Sequence, residues 1–139
     1  MNLFFKIVFF IGVFYNILLL VSGDYTSDTK AMLSIFTINC FLAFFISFLF
    51  KKNKHSCKIA FFLIVLTNIS FLMNTSGWNE GTMTGTSYII PFFQYITDWL
   101  YGFLLISAFM GFIPVVLYLV FIYSIVLFFC KRKSETLYK

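Results

Sequence analysis

The chain has 139 residues, 61% of them hydrophobic and 11% charged, with 22 Phe and a formal net charge of +5. A soluble domain carries about 25% charged residues, so these side chains cannot cover a water-facing globule and lipid must be the solvent for most of the surface. The positive charge is explained by topology, as shown below, and gives no reason to invoke nucleic acid.

The first apolar run, Ile7–Val21, follows Lys6 and extends to a span over about residues 5–22 when its uncharged flanks are included. A crossing helix needs about 20 residues. The length of this run favours a retained span over a signal peptide ending at Val21-Ser22-Gly23. The second run, Ala31–Phe50, fits a span at 31–50 directly. A lysine-rich connection, "KKNKHSCK", separates it from the third run, Ile59–Met73, which gives a shorter span at about 58–74.

Next comes "SGWNEGTMTGTS", residues 76–87, with Gly77, Gly81 and Gly85 at four-residue spacing. It reads as a pliable outer loop with Trp78 as a headgroup anchor. In "YIIPFFQYITDWL", Ile89, Phe92, Phe93, Ile96 and Leu100 recur at helical spacing, and Gln94, Thr97, Asp98 and Tyr101 fall on the opposite side. The expectation is an interfacial amphipathic helix with Pro91 in its first turn. Loop and helix form an outer cap over residues 74–101. Gly102 is the expected break, and the fourth span follows at about 103–130, kinked at Pro114 because that residue cannot donate to the carbonyl of Met110.

Charge orients this plan. Lys6, Lys51, Lys52, Lys54, Lys58, Lys131, Arg132, Lys133 and Lys139 fall on one side of four spans, and Lys30 alone falls on the other. Lys and Arg resist translocation, so that side is cytoplasmic and both termini are inside. The fold expected is therefore all-α: a single polytopic domain of four transmembrane helices plus an outer interfacial helix before the last span.

No Asp, Glu, Lys, Arg or His is expected deep in a span, which argues against proton-coupled transport and intramembrane catalysis. Cys40, Cys57 and Cys130 form no CxxC, and His55 has no second His near it, so no metal site, disulfide framework or cofactor is expected. The polar groups that do fall inside are Asn16, Asn39 and Asn68, each about 9–12 Å from the outer end of its span at 1.5 Å per residue, with Ser107 as a possible fourth. They are expected to form an interhelical hydrogen-bond cluster that packs helices, or alternatively a constriction for a small solute. Ala43/Ser47 and Ser107/Gly111 are small-xxx-small pairs suited to close helix approach within the chain or in a homo-oligomer.

Two surfaces are candidates for contacts. One is the outer cap, where Trp78, Glu80, Gln94, Thr97 and Asp98 are expected to face outward, with the loop its more mobile part. The other is the basic cytoplasmic face of Lys51, Lys52, Lys54, Lys58, Lys131, Arg132 and Lys133, which suits anionic lipid or a soluble protein partner. No family motif stands in the chain, and it lacks the patterns of fluoride channels, small multidrug exporters and quinone-linked disulfide enzymes. Its Phe/Ile/Lys/Asn-rich vocabulary, small size and minimal loops resemble membrane proteins of bacterial conflict loci. Those include membrane subunits of antiphage systems and four-span immunity proteins against pore-forming bacteriocins. The resemblance is one of architecture and composition. It implies a non-enzymatic inner-membrane protein acting through contacts, with a pore or small transporter subunit as the alternative.

Overall fold

The computed structural model describes residues 2–23, 25–50, 55–77 and 87–136, of which 76, 77, 87 and 131–136 are described by their backbone alone. Among the described residues five helices make up the fold: α1 (Leu3–Ser22), α2 (Ser27–Leu49), α3 (Ser56–Leu72), α4 (Gln94–Phe109) and α5 (Ile113–Thr136). Two short strands, β1 (Thr75–Gly77) and β2 (Ser87–Tyr88), pair antiparallel between α3 and α4. Three helical segments among the described residues are long and apolar enough to cross a membrane: Leu3–Ser22, Ser27–Leu49 and Ile113–Cys130. The apolar α3 is shorter, at 17 residues.

Local chemistry sets the boundaries. Gly23 closes α1 in the left-handed conformation at φ 70°, a C-terminal role glycine fills without a Cβ penalty. Thr26 caps α2, its hydroxyl accepting from the Thr29 N–H at 3.3 Å, and Asp28 adds negative charge to the first turn, complementing the helix dipole. Along α2 the buried residues Ala31, Ile35, Asn39, Ala43 and Ser47 recur every fourth position, so a single stripe faces the bundle. Ala60, Ile64 and Asn68 do the same on α3. Ala43 and Ala60 are fully buried, as small residues at close helix contacts are; the Ala43/Ser47 pair thus serves packing within the chain.

Rings and hydrogen bonds define two ends of the bundle. At the near end, Phe5 of α1 and Phe61 of α3 both meet Tyr123 of α5 edge-on, and Ser47 Oγ lies 3.1 Å from Cys130 Sγ. At the far end, the C-terminus of α3 meets α4, and Lys30 of α2 sits over the Tyr95 ring, 5.8 Å from its centroid. Lys6, Lys58 and the basic end of α5 therefore gather at the near end, with Lys30 at the other.

The region after α3 departs from the expected plan. The helix begins at Gln94 rather than near Ile89, and Pro91 occupies a 3-10 turn, Pro91–Phe93. It then runs straight through Gly102 to Phe109. The break lies at Met110–Phe112, where Gly111 and Phe112 take φ values of 65° and 60°. The Phe112 N–H reaches back to the Ser107 carbonyl at 2.7 Å, the six-to-one bond of a Schellman ending with glycine at the left-handed position. Residues 103–130 are thus not one helix. Pro114 is the second residue of α5, where a missing N–H costs nothing, so it starts a helix instead of kinking one. Gly111 lies in this turn, so Ser107 and Gly111 do not form a helix-approach pair.

Two apolar clusters fill the interior. Phe9, Ala43, Ile46, Ala60, Ile64, Ile122, Ile125 and Val126 form the one toward the near end. Ile35, Phe71, Ile96 and Leu100 form the other, toward the far end. Tyr118 packs against both.

Candidate functional site

Where the two apolar clusters meet, three polar side chains close a ring. Asn68 Nδ2 of α3 donates to Asn39 Oδ1 of α2 at 2.9 Å. The Tyr118 hydroxyl of α5 donates to Asn68 Oδ1 at 2.8 Å and accepts from Asn39 Nδ2 at 3.4 Å. Asn68 Nδ2 also donates to the Ile64 carbonyl at 2.8 Å. Asn39 is 1% and Asn68 7% exposed, deep enough that an unmet amide would carry its full desolvation cost. The ring meets that demand and ties three helices together.

Of the four residues expected to cluster, Asn39 and Asn68 do meet, while Asn16 and Ser107 do not join them. Asn16 Nδ2 turns back to the Gly12 carbonyl at 2.9 Å, and Ser107 Oγ to the Phe103 carbonyl at 2.6 Å. Each bond spans four residues of its own helix, the local competitor that short polar side chains always have. Tyr118 was missed by sequence reasoning. Its signal is a hydroxyl inside a strongly apolar tract, where a buried Tyr needs a partner for its polar tip.

A second polar site joins α3 to α4. Asn74, buried just beyond α3, accepts from the Ile90 N–H at 2.8 Å and donates to the Ile90 carbonyl at 3.1 Å and to Thr97 Oγ1 at 3.2 Å. The Thr97 hydroxyl shares its hydrogen between the carbonyls of Phe71 at 3.0 Å and Phe93 at 3.1 Å. Tyr101 donates to the Leu72 carbonyl at 2.6 Å. The carbonyls of Phe71 and Leu72 belong to the last turn of α3, which has no helical N–H left to accept from. The polar stripe of α4 supplies those donors.

This corrects the expectation that the stripe faces outward. Thr97 is fully buried, and Asp98 accepts from the Tyr88 hydroxyl at 2.5 Å. Desolvation, and then the hydrogen bond to Asp98 and its charge, push the Tyr88 phenol up to about 12. Gln94 remains exposed, together with Phe92 and Tyr95. Trp78 and Glu80 lie outside the described residues, as do Lys51, Lys52 and Lys54. Lys58 is exposed in the first turn of α3, and Lys131, Arg132 and Lys133 continue α5.

Among the described residues no group of three His, Cys, Asp or Glu side chains stands close enough to hold a metal ion. The three long apolar helices and the polar groups paired inside them define the class: this is a helical membrane protein. No protein-family model, curated protein or solved structure matches the chain.

Proposed function

We propose that this is a small non-enzymatic protein of the bacterial inner membrane, with four spans and both termini cytoplasmic, that acts through contacts with lipid and with other proteins. In this reading α1, α2, α3 and α5 cross the bilayer. The 17 residues of α3 reach about 26 Å at 1.5 Å per residue, somewhat short of a hydrocarbon core of about 30 Å, and local thinning makes up such a difference. Support for the orientation comes from the near end, where Lys6, Lys58 and the basic end of α5 gather.

The observation that carries the contact reading is the closed ring of Asn39, Asn68 and Tyr118. Its groups are spent on one another between two apolar clusters, leaving them committed to packing rather than to a conduit or a reaction. The exposed parts of the far end, Phe92, Gln94 and Tyr95, would meet a membrane-borne or periplasmic trigger. The basic face would hold anionic lipid or a soluble partner, and the exposed apolar flanks leave room for a homo-oligomer. Biologically, the reading is a sensor or anchor subunit of an antiphage system, or an immunity protein against a pore-forming toxin.

The test is to express the chain with and without the product of an adjacent gene, then challenge the cells with phage and with bacteriocins. The expected result is protection that requires this chain, and a purified protein that does not conduct in planar bilayers. Steady conductance without protection would favour the alternative of a channel or small transporter subunit.

A further inference from the structure

A cavity of about 330 Å³ lies between α1, α2, α4 and α5. Its wall carries the aromatic rings of Tyr15, Phe36, Trp99, Tyr118 and Phe121, together with Asn16. Ile11 and Tyr15, both exposed, stand at its rim, on flanks whose apolar character places them in lipid rather than water.

Asn16 sets the chemistry of this space. It is 8% exposed, and its Nδ2 is committed to the Gly12 carbonyl. Its Oδ1 is buried with no hydrogen-bond partner. An acceptor in that position carries a desolvation cost that a donor would remove. The terminal torsion of an asparagine is soft, and because Oδ1 and Nδ2 turn together, presenting this oxygen to the cavity exchanges the Gly12 bond for one from the bound donor.

Water is a poor candidate for that donor, because a buried water needs two to four polar partners. The neighbouring hydroxyls are already engaged: Tyr118 in the ring with Asn39 and Asn68, and Tyr15 at the Met32 sulfur, 4.0 Å away. What the space suits is a molecule that is apolar almost everywhere and donates once. Its volume is about twice the ~150 Å³ that accommodates benzene and falls at the lower end of ligand pockets, about 300 Å³. That is room for one ring and a short tail.

We propose that this cavity is a binding site for a neutral, lipid-dissolved molecule with an apolar ring and a single hydroxyl donor, the hydroxyl bonding to Asn16 Oδ1 and the ring lying among Phe36, Trp99 and Phe121. The site goes beyond the contact function proposed above. It uses only the membrane setting of the helices, so it is tested on purified protein without any biological partner.

Trp99 is the reporter. The chain has 2 Trp, so Trp78→Phe leaves Trp99, which lines the cavity, as the sole indole signal. The full-length W78F protein in lipid nanodiscs is titrated with 4-pentylphenol and, separately, with its methyl ether 4-pentylanisole, at matched mole fractions in the bilayer. The expected result is a saturable change in Trp99 emission, with the phenol binding at least about tenfold more tightly than the ether. Asn16→Leu should remove that preference while leaving weak binding of both probes. Ile11→Phe at the exposed rim should weaken both probes together in a protein whose interior is untouched. Equal affinity for phenol and ether in W78F, or a change that rises without saturating, would overturn the proposal and leave Asn16 as a packing residue only.

Discussion

Asn68 Nδ2 and Asn39 Oδ1 meet at 2.9 Å, joining the C-terminal half of α3 to the middle of α2. Neither residue has a charge to neutralise, and both sit between apolar clusters, so the bond works by matching amides that each helix must bury. In lipid such bonds contribute roughly 0.6–2 kcal/mol. Asn39→Leu should therefore weaken the fold by about 1 kcal/mol without abolishing expression. Tyr118→Phe should cost a similar amount, and the double variant should fall short of the sum, because the two residues share Asn68. Reversible unfolding in mixed micelles measures all three; strict additivity would mean that the ring is not a unit.

The far end rests on Thr97. Thr97→Val keeps the shape but removes the hydroxyl that serves the Phe71 carbonyl and accepts from Asn74. The Phe71 carbonyl keeps the Asn74 N–H and Asn74 Nδ2 keeps the Ile90 carbonyl, so the loss should cost about 0.5–1.5 kcal/mol, as a net hydrogen bond does. Gln94→Ala, at an exposed position on the same helix, should stay within about 0.5 kcal/mol. Comparing the two by the same unfolding measurement separates an inward-facing stripe from an outward-facing one, and equal effects would favour the latter.

The turn between α4 and α5 holds Phe112 at φ 60°, a conformation that costs a non-glycine residue about 1–2 kcal/mol. Phe112→Gly should offset part of that strain and raise stability by about 1 kcal/mol, since the Phe112 ring is more than half exposed. Gly111→Ala, at φ 65°, should lower stability by about 1 kcal/mol. A destabilised Phe112→Gly would show that its ring, rather than its backbone, matters there.

Tyr88 gives the pH dependence. Its phenol is held up at about 12, against about 10 in an unfolded chain. The folded state thus holds the proton more tightly, so the Tyr88–Asp98 contribution is complete below pH 10 and is lost as the pH rises from about 10 to 12. Subtracting the ultraviolet titration of Tyr88→Phe from that of the unaltered protein isolates this phenol. Asp98→Asn should move its midpoint downward; an unmoved midpoint would remove Asp98 from the interaction.

Much of this was legible in the sequence, for reasons that also explain the rest. Apolar length and flanking charge located α1, α2 and α3 because lipid rewards an unbroken apolar helix wherever it occurs. The break after α4 was misplaced because Gly102, Gly111 and Pro114 each permit one. The choice of Gly111 is tertiary: a helix continuous through Gly102 stacks Trp99 on Phe103 at 5.2 Å and brings both rings to Tyr118. Glycine inside a helix costs only about 1 kcal/mol, less than such packing provides. The polar residues of α4 recur at helical spacing, but polarity alone does not say what a face meets: Thr97 is buried with Ile96 and Leu100, while Phe92 is exposed. Here Thr97 and Tyr101 meet carbonyls at the end of α3, whose need for donors is invisible until the two helices are placed together. Asn39 and Asn68 were paired by depth along their helices, a criterion that could not exclude Asn16, whose own Gly12 carbonyl satisfies its amide hydrogen.

In the four-span arrangement proposed above, the near end, where α1 and α3 begin and α2 and α5 end, faces the cytoplasm. Reporter fusions that distinguish the two sides of the inner membrane test it directly, placed after Ser27, Lys54, Glu80 and Lys139. Cytoplasmic signals are expected at Lys54 and Lys139 and external signals at Ser27 and Glu80. An external signal at Lys139, or a cytoplasmic one at Glu80, would contradict it.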